Sequence, residues 1–197
     1  MGSDPFPPPP AVSGFDAIVL AGGESRRFGA DKSLAEFDGE SLLERAVDAV
    51  SGARRVIVVG EERMKIPGTS WTQESPPGGG PAAGIAAGLA VLGMEAEPLV
   101  AVLASDLPFV DGSAIDALLD AAGSKDGAAA LDPDGKINPL LAVYRTVRLN
   151  EALSASPSLA GAALLRIFSV LELAEIELRA AQDVDTREEL DRAINDG

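Results

Sequence analysis

The 197-residue chain carries 16 Lys and Arg against 31 Asp and Glu, a net charge of −15, with 46% apolar and 4% aromatic residues and neither Cys nor His. Such a balance suits one well-buried domain and argues against a nucleic-acid-binding surface. The missing residue types exclude disulfides, thiolate metal sites and His-based triads, and leave only oxygen ligands for a metal, which favours Mg²⁺ or Mn²⁺ over Zn²⁺.

Residues 1–14 open with MGSDPFPPPP and are expected to be a disordered Pro-rich tail, with a single domain over 15–197. Phe15–Leu20 (FDAIVL) is a short apolar run ending at Gly22-Gly23, which predicts a buried strand feeding a loop. Leu42, Leu43, Ala46, Val47 and Val50 recur at helical spacing before Gly52. RVIVVG (55–60) predicts a second buried strand. A Pro/Gly loop over 76–81 then leads into a small-residue helix from Ala82 to Leu92, whereas SWTQESPP ahead of that loop makes a poor buried strand. LVAVLASD (99–106) is the third strong strand, and a helix over 113–122 follows it.

Alternating strands and helices predict an α/β fold with a mainly parallel sheet covered on both faces. The second half changes character. Residues 127–145 read as two strands joined at Asp134-Gly135, an antiparallel insertion. Helices over 146–155 and 159–168, a weak strand near 171–178, and a last helix over 187–196 with Thr186 as N-cap complete the chain. No apolar run reaches the roughly 18 residues of a membrane span. With nothing resembling a signal peptide, a cytoplasmic protein without a membrane or nucleic-acid partner is expected.

Ligands of a parallel α/β sheet bind at the carboxyl ends of its strands, and the most polar loops of this chain lie there. In LAGGESRRFGADK (20–32), Gly22 and Gly23 let a ligand approach bare backbone N–H groups. Arg26, Arg27 and Lys32 concentrate positive charge in the same loop, as a triphosphate requires. The loop is neither a Walker A sequence, since Asp31 precedes Lys32, nor GxGxxG. Asp106, emerging from an apolar strand in Ser105-Asp106-Leu107-Pro108, is placed to offer a carboxylate to Mg²⁺; a turn cap ahead of Pro108 is the plainer alternative. Asp183 and Asp185 flank Val184 and fall on one side of an extended segment, so either is a candidate second ligand; Asp185-Thr186 also reads as the entry to the last helix.

Together, LAGGESRRFGADK, GGGPAAGIAAGL (78–89), SDLP (105–108), NPLLAVY (138–144) and DVDTREEL (183–190) resemble, in order, the blocks of the molybdenum cofactor guanylyltransferase (MobA-like) family of nucleotidyltransferases. The resemblance implies a Rossmann-like three-layer nucleotidyltransferase fold. It implies Mg²⁺-dependent transfer of GMP from GTP onto the phosphate of molybdopterin, with release of pyrophosphate, and transient contact with other molybdenum cofactor enzymes. By position it assigns Leu20, Ala21 and Gly22 to guanine and ribose, with Gly23 a further candidate in the same loop, Lys32 to the phosphates, Asp106 to metal and nucleotide, and Asp185 to the metal as second ligand. Gly22-Gly23 favours this family over cytidylyltransferase relatives, whose loops usually read Ala-Ala-Gly. Phe28 stands where the family has Met, and Ser105 where it often has Cys. An Asp that the family carries before its glycine loop is absent; Gln73-Glu74-Ser75 occupies the region, with Glu74 available to substitute.

Two other readings remain. Gly78 to Ala83 fits GxGxxA, as in a nicotinamide dehydrogenase, but the weak strand before it and Pro81 inside the turn oppose this. An accessory protein that binds nucleotide without turnover would explain the altered region at Glu74. For the acceptor, the later half offers Lys125, Lys136, Arg145, Arg148 and Arg166. Lys136 and Arg145 flank NPLLAVY, and the antiparallel strand is expected to bring one of them towards the acceptor.

Overall fold

The computed structural model describes residues 14–21, 36–37, 39–75 and 77–181. Its centre is a seven-stranded sheet in the order β5-β4-β1-β6-β8-β7-β9. These strands are β1 (Phe15–Leu20), β4 (Val56–Val59), β5 (Thr69–Thr72), β6 (Leu99–Ala104), β7 (Gly127–Leu131), β8 (Ile137–Arg145) and β9 (Leu173–Glu177). The short β2 (Glu36–Phe37) and β3 (Glu40–Ser41) pair separately. Every pairing in the main sheet is parallel except those of β8 with β6 and β7, so the predicted antiparallel insertion is one reversed strand.

Buried apolar runs explain the central strands. Ala17 to Val19, Val56 to Val59 and Leu99 to Leu103 are all buried, as strands covered on both faces must be. β5 differs: Thr-Ser-Trp-Thr is partly exposed and closes one edge, which is why no apolar run announced it. Helices α1 (Leu42–Ala49) and α3 (Gly112–Ala122) cover one face. Helices α2 (Pro81–Leu92), α4 (Thr146–Ser154) and α5 (Leu164–Phe168) cover the other.

Local signals set the helix ends. Ser41 and Glu44 form a capping box on α1, each side chain accepting the other residue's backbone N–H. Asp111 caps α3 by accepting from Ala114 N at 3.0 Å. The hydroxyl of Ser113, donating to Asp111 at 2.6 Å, is the main reason that the Asp111 carboxyl stays below its ordinary pKa. Helix α5 is shorter than expected, beginning at Leu164 rather than Leu159. The chain turns at Gly161, whose φ of 68° takes it out of helical conformation.

At the amino edge of the sheet, Asp16 is wholly buried within the apolar run of β1. Its Oδ2 accepts from Arg54 (3.3 Å), Arg55 (3.2 Å) and the backbone N–H of Glu97 (2.9 Å). The cluster joins the entries of β1, β4 and β6 far from the loops that follow those strands. A buried carboxylate of this kind needs its partners to offset desolvation, so the cluster is weak evidence of net stabilisation.

Candidate active site

The carboxyl ends of β5, β4, β1 and β6 form one edge, tied together by backbone hydrogen bonds. Gly60 N donates to Thr72 O (2.8 Å), Ala21 N to Val59 O (2.8 Å) and Ser105 N to Leu20 O (3.0 Å). This places Leu20 and Ala21, at the mouth of the glycine loop, next to the segment carrying Asp106. The two were expected to act together from separate stretches of sequence, and register brings them together: Leu20 pairs with Ala104.

Asp106 is held without being buried. Ser105 and Leu107 on either side of it are buried, at 6% and 1% exposure, while Asp106 itself is half-buried. Val110 N closes the turn onto Leu107 O at 3.3 Å, and Val110 sinks into the core. The neighbours therefore anchor the turn and leave Asp106 only half-buried, offering the kind of oxygen ligand a hard cation takes. Among the described residues no cluster of three acidic side chains surrounds a metal position. A cation bound at Asp106 would complete its shell with phosphate oxygens, water or the carboxylates of Asp183 and Asp185. Those two residues lie outside the described residues, as do Gly22, Gly23, Arg26, Arg27, Lys32 and the segment 187–196 expected to be the last helix.

Helix α2 approaches this edge unusually closely because its inner face is built from small residues. A Cβ on Gly84 would sit 3.2 Å from Leu20 Cδ2 and 3.5 Å from Val59 Cγ1. The helix starts at Gly80 (φ 83°) and Pro81, with no side chain capping its N-terminus. Glu74, two residues beyond β5, accepts from Gly78 N at 3.0 Å and so ties the end of that strand to the glycine turn. Gly79 O in turn accepts from Gly161 N at 2.9 Å.

Contacts that sequence reasoning missed secure the chain on its way to Asp183. The Arg179 guanidinium lies over the ring of Phe109, 4.4 Å from its centroid, joining the segment before Asp183 to the turn after Asp106. Asn138 Nδ2 donates to Ala181 O at 3.4 Å, and its Oδ1 accepts from Leu140 N at 2.9 Å. Ala180 and Ala181 are buried in the sheet's core. Asn138 opens the NPLLAVY block, so a polar residue starting a mostly apolar strand was the available signal. Nothing in the sequence pairs Phe109 with Arg179.

The acceptor cations divide between the two edges of the sheet. Arg145 pairs with Leu99, the first residue of β6, and donates to the carbonyls of Lys125 (2.8 Å) and Gly123 (2.7 Å). It is therefore at the amino edge, about 17 Å of strand away from the Asp106 turn at ~3.3 Å per residue. Lys125 and Arg148 share that edge, the first beside Glu172 and the second paired with Asp126. Only one of the pair can face the site, because β8 runs the length of the sheet and puts its flanks at opposite ends. Lys136, in the β7–β8 turn, stays on the site's side, largely exposed and 3.5 Å from Asp134.

The curated relatives include a probable molybdenum cofactor guanylyltransferase of Natronomonas pharaonis, 32% identical over 89% of this chain and 95% of that protein. Another, with the same description, comes from Methanosarcina acetivorans and is 32% identical over 90% and 89%. Among solved structures, the molybdopterin-guanine dinucleotide biosynthesis protein A of Archaeoglobus fulgidus superposes with a TM-score of 0.70 at 23% identity, covering 92% of this chain and 97% of that one. The family model of the MobA-like NTP transferase domain matches residues 17–173. By that match and those identities, the chain belongs to the MobA-like NTP transferase family of nucleotidyltransferases.

Proposed function

We propose that this enzyme transfers GMP from GTP to the phosphate of molybdopterin, forming the guanine dinucleotide cofactor and pyrophosphate. The observation that carries the reading is the shared edge: register and backbone hydrogen bonds set Leu20 and Ala21 beside the Asp106 turn. Whole-length likeness to curated guanylyltransferases supports the choice of GTP.

In the proposed reaction a phosphate oxygen of the acceptor attacks the α-phosphorus of GTP. A new P–O bond forms, the bond from the α-phosphorus to the bridging oxygen breaks, and pyrophosphate leaves with that electron pair. The nucleophile is already ionised near neutral pH, so no strong base is required and a chain without His suffices. What the protein supplies is alignment of two polyanions and neutralisation of charge. Leu20, Ala21, Gly22 and Gly23 would position base and ribose, and Glu74 would either contact the nucleoside or hold the Gly78 turn that does. Lys32, with Arg26 and Arg27, would screen the β- and γ-phosphates and ease departure of pyrophosphate. Mg²⁺, when bound, neutralises triphosphate charge in the transition state. Asp106 fits it as a hard oxygen ligand, and Asp185 is the second ligand proposed.

A nucleotide panel tests the reading, with GTP, CTP, ATP and UTP titrated in the presence of Mg²⁺. GTP should bind at least about tenfold tighter than CTP, because each hydrogen bond left unpaired by the wrong base costs about 1–3 kcal/mol. A preference for CTP would move the enzyme to the cytidylyltransferases. Tight GTP binding without transfer to molybdopterin would leave a non-catalytic accessory protein.

A further inference from the structure

Between α4 and α5, on the site's side of the sheet, lies a groove of about 440 Å³. Its walls are mostly apolar, including Ala155, Pro157, Ala162, Ile167 and Val170, and among the described residues Arg166 is the one charged side chain that lines it. The groove adjoins the candidate site through backbone. Gly161 lines it and donates to Gly79 O, in the glycine turn that starts α2, and the first turn of α2 rests on Leu20.

Arg166 is set apart from the other described arginines. Arg45, Arg54, Arg55, Arg63 and Arg148 all have carboxylate partners, Arg145 donates to two carbonyls, and Arg179 lies over a ring. Among the described residues Arg166 alone of the arginines has a guanidinium with no ion pair, hydrogen bond or ring contact. In a chain of net charge −15, a cation left unpaired beside an apolar groove is complementary to an anion with an apolar or planar body. The volume suits one small heterocyclic molecule. A guanidinium can both stack on such a ring and pair with its anionic groups.

We propose that this groove is the acceptor subsite. It receives the heterocyclic body of the phosphate-bearing acceptor, and Arg166 supplies the countercharge. The assignment rests on the guanylyl-transfer reading above and adds to it the place where the second substrate sits. It replaces Arg145, which the register of β8 removes to the far edge, with the cation that lines this groove.

The test uses the full chain as wild type, Arg166→Glu, Arg166→Lys and Ala155→Trp. Position 155 is exposed at the end of α4, so the indole fills the groove without entering the core. Molybdopterin and GTP affinities are measured separately for each protein, together with GMP transfer. Arg166→Glu and Ala155→Trp should weaken molybdopterin binding at least tenfold and leave GTP affinity within twofold of wild type, while Arg166→Lys recovers most of the loss. Wild-type transfer together with unchanged molybdopterin affinity in Arg166→Glu and Ala155→Trp would overturn the groove assignment alone. A wild type that binds GTP but neither binds molybdopterin nor transfers GMP would overturn the underlying reading, and the groove assignment with it.

Discussion

Adding one methyl group at Gly88 tests how α2 is seated on the sheet. A Cβ there would lie 2.9 Å from both Cδ1 and Cγ2 of Ile18 and 3.0 Å from its Cγ1. Ile18 is fully buried in β1, and three of its atoms would be struck at once, so the side chain has no direction in which to retreat. Overpacking of this kind costs about 1–3 kcal/mol, while replacing Gly by Ala inside a helix returns about 1 kcal/mol. Gly88→Ala should therefore lose up to about 2 kcal/mol, and a chain of this size shifts its Tm by roughly 2–4 °C per kcal/mol. Gly84→Ala provides the contrast. Its methyl would meet only the terminal Cδ2 of Leu20 at 3.2 Å and Val59 Cγ1 at 3.5 Å. Leu20 stands at the sheet edge and can turn aside, so the helix gain offsets the crowding and stability should stay near wild type. The assay is urea unfolding followed by the fluorescence of the single Trp71 and by far-ultraviolet circular dichroism. A Gly88→Ala protein more stable than wild type by about 1 kcal/mol, the pure propensity gain, would refute the close approach of α2 to β1.

Further expectations concern the site and the charged or polar groups around it. Asp106→Ala should abolish Mg²⁺-dependent turnover without changing the unfolding midpoint appreciably, and Lys32→Ala should lower turnover by roughly 10²–10³, the loss of one transition-state donor. Near-normal turnover in Asp106→Ala would put the metal on other ligands. Tyr144, the only tyrosine, is fully buried and donates to Pro139 O at 2.9 Å; burial raises its pKa far above the ordinary 10.0. Its phenolate absorbance should thus stay absent in the folded protein at pH values where the urea-unfolded chain titrates. The stability due to this neutral phenol is present below pH 10.0 and lost above it, because only the unfolded state then releases the proton. Asp126 behaves oppositely: the hydrogen bond from Arg148, then that from Glu172 N, hold its carboxyl below 3.8. The stability difference between wild type and Asp126→Asn should be full above that value and shrink as pH falls below it, as followed by acid unfolding.

The elements legible in the sequence are those in which burial leaves a one-dimensional trace. β1, β4 and β6 read as apolar runs because both faces are covered, and the same runs end where backbone turns polar, which is what located Leu20 and Asp106. The Asp134-Gly135 turn was legible for a different reason, since Gly135 adopts φ 75° and few residues other than glycine do so readily. β5 left no trace because an edge strand is packed on fewer sides, and Thr-Ser-Trp-Thr is partly exposed. Asp16 sits inside an apolar run and carries no local signal of its own. Its counterpart was nevertheless visible in Arg54-Arg55 at the entry of the next strand, since strands that pair in parallel bring equivalent starts together.

What a sequence does not carry is the direction in which a strand is laid down, and the acceptor cations show the consequence. Lys136 and Arg145 flank one nine-residue strand and look like neighbours of one site. A strand of nine residues spans roughly 26 Å at ~3.3 Å per residue, so its two flanks cannot serve a single small molecule. Reversal of β8 decides which flank faces the site, since Leu141 pairs with Leu103 and Arg145 with Leu99. The groove that Arg166 lines reaches the site's side for an equally non-local reason. Helix α4 starts at Thr146, whose N–H donates to Pro98 O at the amino edge, and the chain has returned to the opposite edge by Gly161, which meets Gly79. The positive charge available to a second substrate is therefore set by two chain reversals, one in β8 and one through α4. Proximity in sequence to a family block carries no such information.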